Sequence, residues 1–431
     1  MRSGGEEIIF SVTNMIKEIQ LENWKSFPRA TLYLDPLTIL IGTNASGKSN
    51  VLDALEFLCQ IAQGKEIPSI LQNDPKTLTF RGGAEWAALK PEKSFTVAAL
   101  IEAEEDKLDF LYSITIQTLP KPKLLAESLL RLKYRPRSKS APYKLKLFWT
   151  EPCGNDDPAI TAKLYNETRG IPRNVQRSSS VLSQLKLSTS TLRKEIADGI
   201  QCVLHALNSI FILNPIPSHM RYFSPLSEKL ANDASNIAGV LAALPDNRRT
   251  TVESTLQKYV QNLPEKDIQR VWTEKVGPFQ TDAVLLCEEA WKQDSPATTV
   301  DARAMSDGTL RFLAILTALL TLPEQSQLLI EEVDNGLHPS RSDMLIKILR
   351  TVASNRHIDV LASTHNPALL NRLGPDMVPF VVVAHRNPKT GFSDLTLLEN
   401  VSNLPKLMAS GPLGEVTASG ALERSLKANG G

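Results

Sequence analysis

The sequence lacks the features of membrane-spanning, secreted or zinc-finger proteins. It has no run of about 18 or more apolar residues, so we expect no membrane span. The four cysteines are scattered without a C-x-x-C spacing, which argues against a zinc site or a disulfide framework and fits a reducing cytoplasm. Residues 1–14 do not combine a basic start with a long apolar core, so we interpret them as an upstream extension and not as a secretory signal.

A strong net charge and a long heptad pattern are also missing. The formal net charge is +1, so no global field draws the chain toward nucleic acid or membrane. Without a sustained run of apolar a and d positions, long coiled-coil arms are excluded. We find no internal repeat. At 431 residues and 42% apolar composition, the chain is long enough for two domains with sizeable cores.

Apolar periodicity predicts two blocks of α/β structure separated by an irregular segment. The first block has strands at 16–24, 30–34 and 37–41, a helix at 48–63, and an antiparallel pair at 95–101 and 108–117. The second block has helices at 308–321 and 340–353 and strands at 327–331, 358–363, 378–384 and 394–398. Between the blocks we expect helices at 189–211 and, twice, within 229–262.

One segment has the pattern of a phosphate-binding loop, G-x-x-x-x-G-K-S, between a buried strand and an amphipathic helix. Its glycines let the backbone wrap around a phosphate, and N–H groups at the helix N-terminus point at the anion. Lys48 should reach the β- and γ-phosphates of ATP, and the hydroxyl of Ser49 should ligate Mg²⁺. The predicted ATP-binding residues are Gly42, Thr43, Asn44, Ala45, Ser46, Gly47, Lys48, Ser49 and Asn50.

A pair of acids ends the apolar strand at 327–331. Glu331 would support Mg²⁺ through Ser49 or a water, and Glu332 would orient and deprotonate the attacking water. Taken alone, two such acids are a strand end that enters solvent. Their occurrence with a phosphate-binding loop favours the functional interpretation.

The segment from Glu331 to Pro339 resembles the extended Walker B and D-loop of ABC-type ATPases related to RecF, to SMC proteins and to the overcoming-lysogenization-defect nucleases. That group includes compact bacterial ATPases of the AAA15 and AAA_21 type, many of them in antiphage defence operons. Two departures are visible: Glu331 stands where aspartate is commoner, and Val333-Asp334 stands where Pro-Glu is usual. The resemblance covers about 15–120 and 300–400.

The resemblance assigns two further motifs. Ser306-Asp307-Gly308 is similar to the signature motif, which in this family caps the γ-phosphate bound to the other subunit; an ordinary helix N-cap is the alternative. His365 stands where the family has its switch histidine, which contacts the γ-phosphate. His338 is either a D-loop contact across the dimer or a local cap. For the Q-loop glutamine, Gln72 and Gln117 are candidates only.

The resemblance also implies a fold and an assembly. We expect an ABC-type P-loop ATPase head with a mixed sheet and an antiparallel β subdomain, plus a largely helical insertion. ATP and Mg²⁺ would lie between two copies of the chain, each supplying one P-loop and one signature motif. The expected divisions are 1–14, an extension; 15–120, the first part of the ATPase domain; 121–290, the insertion; 291–400, the second part; and 401–431, a C-terminal tail.

Few residues of the sequence indicate what an ATPase cycle would serve. Residues 121–146 hold nine basic residues, one acid and adjacent aromatics. Such a segment is either a solvated strand face or a contact for nucleic acid. The basic residues are Lys121, Lys123, Arg131, Lys133, Arg135, Arg137, Lys139, Lys144 and Lys146.

We see no nuclease motif, so the first hypothesis is a cytoplasmic regulatory or scaffold ATPase of an antiphage system that controls a separately encoded effector, a nuclease or a toxin. The alternative is a RecF-like DNA-binding ATPase in repair. An ABC transporter subunit is disfavoured by the form of the signature and Walker B segments.

Overall fold

The computed structural model describes residues 15–72, 80–103, 107–134, 141–154, 156–265, 267–290 and 297–429. The expected extension at 1–14 therefore lies outside the described residues. The chain divides into two compact units, one of residues 1–25 with 57–208 and one of 26–56 with 209–431. This division falls at residue 208, inside the segment 121–290 that the sequence suggested as one insertion.

The secondary structure is a mixture of strands and helices. The strands are β1 (Ile16–Trp24), β2 (Phe27–Tyr33), β3 (Leu37–Ile41), β4 (Ser94–Glu102), β5 (Leu108–Gln117), β6 (Lys123–Lys133), β7 (Tyr143–Thr150), β8 (Ala159–Leu164), β9 (Ile171–Gln176), β10 (Ile210–Leu213), β11 (Ser224–Pro225), β12 (Ile268–Val276), β13 (Asp282–Glu289), β14 (Thr298–Asp301), β15 (Gln327–Ile330), β16 (Asp359–Thr364), β17 (Val381–Arg386) and β18 (Ser393–Leu397). The helices are α1 (Lys48–Ala62), α2 (Ile67–Ile70), α3 (Val181–Lys186), α4 (Lys194–Asn208), α5 (Pro217–Met220), α6 (Ile237–Ala243), α7 (Asp246–Val260), α8 (Asp307–Thr321), α9 (Ser342–Asn355), α10 (Pro367–Leu370), α11 (Leu404–Ser410), α12 (Leu413–Ala418) and α13 (Ala421–Asn429). Short 3₁₀ helices lie at Ala84–Trp86, Thr189–Thr191, Pro339–Arg341, Pro375–Phe380 and Leu398–Asn400.

The first unit is built on an antiparallel sheet with strand order β1-β4-β5-β6-β7-β8-β9. Helix α4 packs against β4 to β7, and Gly199 allows the close approach, because a Cβ there would lie 2.5 Å from a methyl carbon of Leu147. At the other end, the ring of Trp24 lies 4.7 Å from that of Phe95 and 5.8 Å from that of Phe57. Aromatic packing and the α4 face therefore form the core of this unit.

The second unit is built on a six-stranded sheet with strand order β10-β15-β16-β3-β17-β18. The strands are parallel, except that β18 runs antiparallel to β17. All five residues of β3 are buried, as expected for a strand covered on both faces. Because β3, β15 and β16 are parallel, their carboxyl ends lie at one edge of the sheet, and the segments that follow them meet there. A smaller sheet of β11, β13, β12 and β14 and the helices α6 to α9 complete this unit.

The expected mixed α/β head with an antiparallel subdomain is confirmed. Residues 121–290 are less helical than expected, because β6 to β9 extend the antiparallel sheet and β10 adds to the parallel one. The C-terminal segment, expected as a tail, holds the helices α11 to α13. Helix α12 packs on α10 so closely that a Cβ at Gly414 would lie 2.0 Å from the carbonyl oxygen of Pro367.

The structure also bears on the cysteines and on a membrane span. None of the four cysteines, all of which are described, forms a disulfide bond, and Cys59, Cys202 and Cys287 are buried. Within the described ranges, no helix combines the length and apolar character needed to cross a membrane.

Candidate functional site

The phosphate-binding loop leaves β3 in a conformation that requires glycine. Gly42 has a φ of +149°, and a Cβ there would lie 2.2 Å from the carbonyl oxygen of Ala384 on β17. Gly47 has a φ of +111°, and its Cβ would lie 2.7 Å from the ring of Phe27. Helix α1 begins at once with Lys48, so its first N–H groups face the loop. The result is a backbone cradle of the polarity that a phosphate needs.

Lys48 lies inside this cradle. Its side chain is buried, and Nζ donates hydrogen bonds to the carbonyl oxygens of Gly42 at 2.7 Å and Thr43 at 3.0 Å. Burial lowers the pKa of the Lys48 ammonium, while Glu332 and Glu331 raise it in part. The Lys48 ammonium donates to two carbonyls near two acids, and an anionic phosphate there would stabilise it further.

Ser46 provides a test of whether the loop fits a phosphate. Its Oγ is buried and has no hydrogen-bond partner among the described residues, although a buried hydroxyl is normally paired. The same oxygen would lie 2.7 Å from a Cβ at Gly42, so it points into the turn of the loop. A phosphate oxygen in the cradle is an acceptor of the kind that this hydroxyl lacks.

Ser49 and Glu331 meet across the sheet edge. The Ser49 hydroxyl donates a short hydrogen bond to Oε1 of Glu331, which follows β15. Both residues line a cavity of about 220 Å³, whose walls are Asn44, Ala45, Ser46, Gly47, Lys48, Ser49, Asn50, Glu331, Glu332, Ser363 and Arg386. A hydroxyl and a carboxylate at one point form the partial ligand set that Mg²⁺ uses with substrate phosphates and waters. In the described part of the chain, no cluster of three or more His, Cys, Asp or Glu side chains could hold a metal by itself.

Glu332 is held in an uncommon backbone conformation. Its φ is +49°, in the left-handed region that non-glycine residues rarely adopt. Its N–H donates to the Ser363 hydroxyl at 3.0 Å, and the next N–H, of Val333, donates to the Ser363 carbonyl at 3.0 Å. These bonds from β16 hold the turn, and such local strain is found at functional sites more than elsewhere.

His365 lies beside the Glu332 carboxylate, with 3.4 Å between Nδ1 of the ring and Oε1. Both side chains are partly exposed, at 49% and 39%. The adjacent backbone is fixed by buried polar contacts, since the Thr364 hydroxyl donates to Asp334 at 2.7 Å and accepts from the N–H of Asn366 at 3.1 Å. The predicted acid pair and histidine are therefore brought together at the sheet edge that carries the P-loop.

The signature residues form the N-terminus of α8. Ser306 is the N-cap, and its Oγ accepts a hydrogen bond from the Thr309 N–H at 3.1 Å. Ser306 and Asp307 are exposed, and neither they nor Gly308 are among the described residues that line the P-loop cavity. Within one chain these three residues thus lie apart from the P-loop cavity.

His338 is a local cap. Its Nδ1 accepts from the Ser340 N–H at 3.3 Å and lies 2.7 Å from the Ser340 hydroxyl, at the start of the 3₁₀ helix Pro339–Arg341. This is one of the two alternatives that the sequence left open. The Q-loop candidates Gln72 and Gln117 belong to the first compact unit, where the Gln117 amide donates to the carbonyl of Leu119; they stay predictions.

Sequence reasoning missed Arg386 and Ser363. Arg386, at the end of β17, donates from Nε to the carbonyl of Ala45 at 2.8 Å and from Nη1 to that of Gly391 at 2.8 Å. It adds a positive charge to the P-loop cavity from a position 341 residues away in sequence. An arginine at a strand end carries no motif, so only the sheet order could reveal it.

The basic segment at 121–146 lies mainly on β6 and β7 of the first unit. Lys133, Lys144 and Lys146 are exposed, and Nζ of Lys146 lies 5.7 Å from the ring centroid of Trp149. The acid in the segment, Glu127, is buried and takes no part in this surface. Arg135, Arg137 and Lys139 lie outside the described residues.

Comparison with known protein families and structures points to one group. Residues 15–142 match the AAA_15 family model, described as "AAA ATPase domain", and residues 258–371 match AAA_21, described as "AAA domain, putative AbiEii toxin, Type IV TA system". The Chromosome partition protein Smc of Synechocystis sp. is 39% identical over 69 residues, which are 16% of this chain and only 6% of that protein.

Two solved structures show the same fold at 12% identity. The SmcHead bound to the C-winged helix domain of ScpA has a TM-score of 0.51, with 89% of this chain and 97% of that chain covered. The Smc head domain with an extended coiled coil, bound to the C-terminal domain of ScpA derived from Pyrococcus furiosus, has a TM-score of 0.50, with 92% and 100% covered.

Proposed function

We propose that this chain, which matches the AAA_15 and AAA_21 family models and has the fold of SMC heads, is an SMC- and ABC-like ATPase that binds ATP with Mg²⁺ and hydrolyses it in a head-to-tail homodimer. The observation that carries the proposal is the meeting of Ser49 with Glu331, directly beside Glu332 and at the mouth of the P-loop. It supports the proposal because the groups that would bind phosphate, hold a metal and activate water line one cavity.

Each group has a role that its position allows. The loop N–H groups and Lys48 bind the phosphates, and the Ser46 hydroxyl donates to a phosphate oxygen. Ser49 and Glu331 would hold Mg²⁺, which supplies charge neutralisation to the phosphates. Arg386 adds a further positive charge at the cavity wall.

Glu332 is the general base. Its carboxylate lies in the cavity wall, is not engaged by a lysine or arginine ion pair among the described contacts, and can accept a proton from water. His365 orients that carboxylate and, at the end of β16, is placed to sense the γ-phosphate. The left-handed backbone at Glu332 and its bonds to Ser363 hold the base in one orientation.

The site is completed by a second copy of the chain. Ser306, Asp307 and Gly308 do not line the P-loop cavity of their own chain, yet Ser306 caps an exposed helix N-terminus suited to an anion. In a two-fold dimer this N-terminus would cap the γ-phosphate that the partner's P-loop holds.

Mixing two inactive variants tests the composite site. Lys48→Ala removes the phosphate-binding cation, and Ser306→Arg blocks the signature surface, so each variant alone should lose ATPase activity. In a mixed dimer, the intact P-loop of one chain meets the intact signature of the other. A 1:1 mixture should then recover roughly one quarter of wild-type activity, because half of the dimers are mixed and each has one complete site. Failure to recover activity, with both variants folded and dimerising, would contradict the head-to-tail arrangement.

We further propose that the ATPase cycle regulates or scaffolds a separately encoded effector, a nuclease or toxin of an antiphage system in the cytoplasm. Two findings support this: the AAA_21 description refers to a Type IV TA system, and the SMC heads of similar fold are bound to a partner protein, ScpA. Co-purification from the native operon with the Glu332→Gln variant and ATP, compared with Lys48→Ala, tests it. A neighbouring gene product retained only by the ATP-trapped form is the expected result, and equal retention by both forms would argue against regulation by ATP.

A RecF-like DNA-binding ATPase is the second candidate. It is favoured by the exposed lysines of β7 beside Trp149 and by the similarity to a chromosome partition protein. The two functions differ in what ATP should strengthen: retention of a protein partner, or binding of duplex DNA.

A further inference from the structure

Arg221 binds the loop that leads into the signature helix. It follows α5, and its Nη1 donates to the carbonyl oxygens of Ala302 at 3.0 Å, Arg303 at 2.8 Å and Met305 at 2.8 Å. Its Nη2 donates to Oδ1 of Asp307 at 2.6 Å. One guanidinium thus engages three carbonyls and the carboxylate of Asp307 within one short segment.

This arrangement fixes the approach to the N-cap. Ala302 and Met305 are buried, and the Ala304 N–H donates to the Asp301 carbonyl at 3.0 Å, so the backbone turns just before Ser306. Three carbonyl oxygens that point toward one place repel one another unless a cation lies between them. Arginine suits this place, because its planar fork offers several donors where lysine offers a single point charge.

The first turn of α8 is held from a second direction as well. A Cβ at Gly308 would lie 2.8 Å from the carbonyl oxygen of Gly336, so α8 packs directly on the D-loop. The buried Arg341 pairs with Glu265 through Nε at 3.2 Å, and its Nη1 lies 3.3 Å from the Thr309 hydroxyl. The first turn of α8 is therefore fixed by Gly336 and Arg341, and Arg221 holds the loop that leads into it.

The Arg221–Asp307 ion pair also neutralises a negative charge at the N-terminus of α8. Asp307 places a carboxylate in the first turn of α8, which suits the helix dipole but opposes an incoming phosphate. With its side chain 68% exposed, Asp307 would present that charge to the partner's nucleotide. The Arg221 guanidinium, at 2.6 Å, compensates it.

We propose that Arg221 is a positioning residue for the signature motif: it orients the 302–307 segment and neutralises Asp307, so that the N-terminus of α8 can accept the γ-phosphate of the partner subunit's ATP. The inference rests on the composite site proposed above and extends it to a residue outside every motif.

The experiment compares Arg221 variants for two separable properties. Binding of a fluorescent ATP analogue reports the P-loop of the same chain, and ATP-driven dimerisation of the Glu332→Gln protein, followed by light scattering, reports the signature acting on its partner. Arg221→Ala should leave ATP affinity within about twofold and weaken ATP-driven dimerisation by about tenfold or more, since tenfold corresponds to the loss of one or two net hydrogen bonds. Arg221→Lys should fall between, because it keeps the charge but not the fork.

Asp307→Asn separates orientation from charge. Combined with Arg221→Ala, it removes the uncompensated carboxylate, so the double variant should dimerise at least about threefold better than Arg221→Ala alone. Arg350→Ala is the matched control: it removes a guanidinium of α9 that is paired with Asp376, and it should leave both readouts unchanged.

The outcomes are distinct. If Glu332→Gln protein with Arg221 intact does not dimerise with ATP, the composite site fails, and the role of Arg221 fails with it. If it dimerises and Arg221→Ala does so equally well, the positioning role is overturned while the composite site stands. If Arg221→Ala loses ATP binding as well, the other variants still test the proposal. It is overturned if Arg221→Lys dimerises no better than Arg221→Ala and if Asp307→Asn does not restore dimerisation to Arg221→Ala.

Discussion

Nδ1 of His365 lies 3.4 Å from Oε1 of Glu332, and the two residues follow neighbouring parallel strands, β16 and β15. The backbone of Glu332 is held by Ser363, two residues before His365. The strand that carries the histidine therefore also fixes the turn that carries the acid. A displacement of β16 would therefore move the acid and the histidine together.

Replacing Glu332 by glutamine should separate ATP binding from hydrolysis. The amide keeps the size and can still accept a hydrogen bond, but it cannot take a proton from water. We expect unchanged ATP affinity, a fall in turnover of about 100-fold or more, and an ATP-stabilised dimer. Phosphate release measures the turnover, and size-exclusion chromatography with ATP measures the dimer that reports ATP binding. Glu324→Gln is the control, on an exposed acid. Wild-type turnover in Glu332→Gln would show that another group is the base.

Ser46→Ala should weaken ATP binding without lowering the stability of the fold. The buried Ser46 Oγ has no partner among the described residues, so its removal should leave the free energy of unfolding unchanged or raise it by about 1 kcal/mol. ATP affinity should fall by roughly five- to tenfold, because one hydrogen bond to phosphate is lost. Thermal unfolding with and without ATP measures both effects. A variant that is less stable and binds ATP as well as the wild type would contradict this assignment.

Gly42→Ala should be far more damaging than Gly391→Ala. Both glycines have positive φ angles, +149° and +74°, but a Cβ at Gly42 would lie 2.2 Å from the backbone oxygen of Ala384, whereas Gly391 has open space. Gly391→Ala should cost about 1 kcal/mol from backbone strain alone. Gly42→Ala should lower stability more than this and abolish ATP binding. Similar losses for the two would show that strain, and not the β17 contact, sets the requirement for glycine.

The sequence indicates the residues of the candidate site more fully than the scaffold around it. The P-loop, Glu331, Glu332 and His365, which the structure brings together, can be recognised because strand ends and short motifs are local signals. Among the strands β6 to β9, which the sequence did not indicate, β9 has no alternation to find, because five of its six residues are exposed. Arg221 donates hydrogen bonds to residues that lie 81 to 86 positions later in the chain, and Arg386 donates one to Ala45, which lies 341 positions earlier. Such pairs depend on tertiary packing that no periodicity encodes. Glu127 stands in the sequence as the one acid of a basic segment, and no local pattern indicates that it is buried.

The lysines of β7 predict a measurable outcome for the DNA-binding alternative. If duplex DNA binds this surface, Lys144→Ala with Lys146→Ala should reduce the slope of log affinity against log salt by about two, roughly one unit for each lost phosphate contact. Electrophoretic shifts at several salt concentrations, with and without ATP, measure the slope. The exposed pair Lys258→Ala with Lys347→Ala is the charge-matched control. Identical slopes for both double variants would remove β7 as a DNA contact.

Glu127 gives the first unit a stability that depends on pH. Its carboxylate is buried on β6 and accepts hydrogen bonds from the N–H groups of Val181 at 2.5 Å and Leu182 at 2.9 Å and from the Tyr112 hydroxyl at 3.0 Å. Burial raises the pKa of Glu127 from 4.5 to about 7, although the three hydrogen bonds oppose the rise. The folded chain therefore keeps a proton between about pH 4.5 and 7 that the unfolded chain releases.

A raised carboxyl pKa means that the stability contributed by this proton is complete below pH 4.5 and is lost as the pH rises toward 7. The free energy of unfolding should fall over this interval by up to roughly 3 kcal/mol, at about 1.4 kcal/mol for each pKa unit. Glu127→Gln keeps a hydrogen-bond acceptor but does not titrate, so its stability should fall less steeply. Urea unfolding of both proteins at pH 5 and pH 7.5 measures the difference, with the exposed Glu151→Gln as the control. Parallel pH profiles for wild type and Glu127→Gln would show that the buried carboxylate stays ionised and that its three donors outweigh its burial.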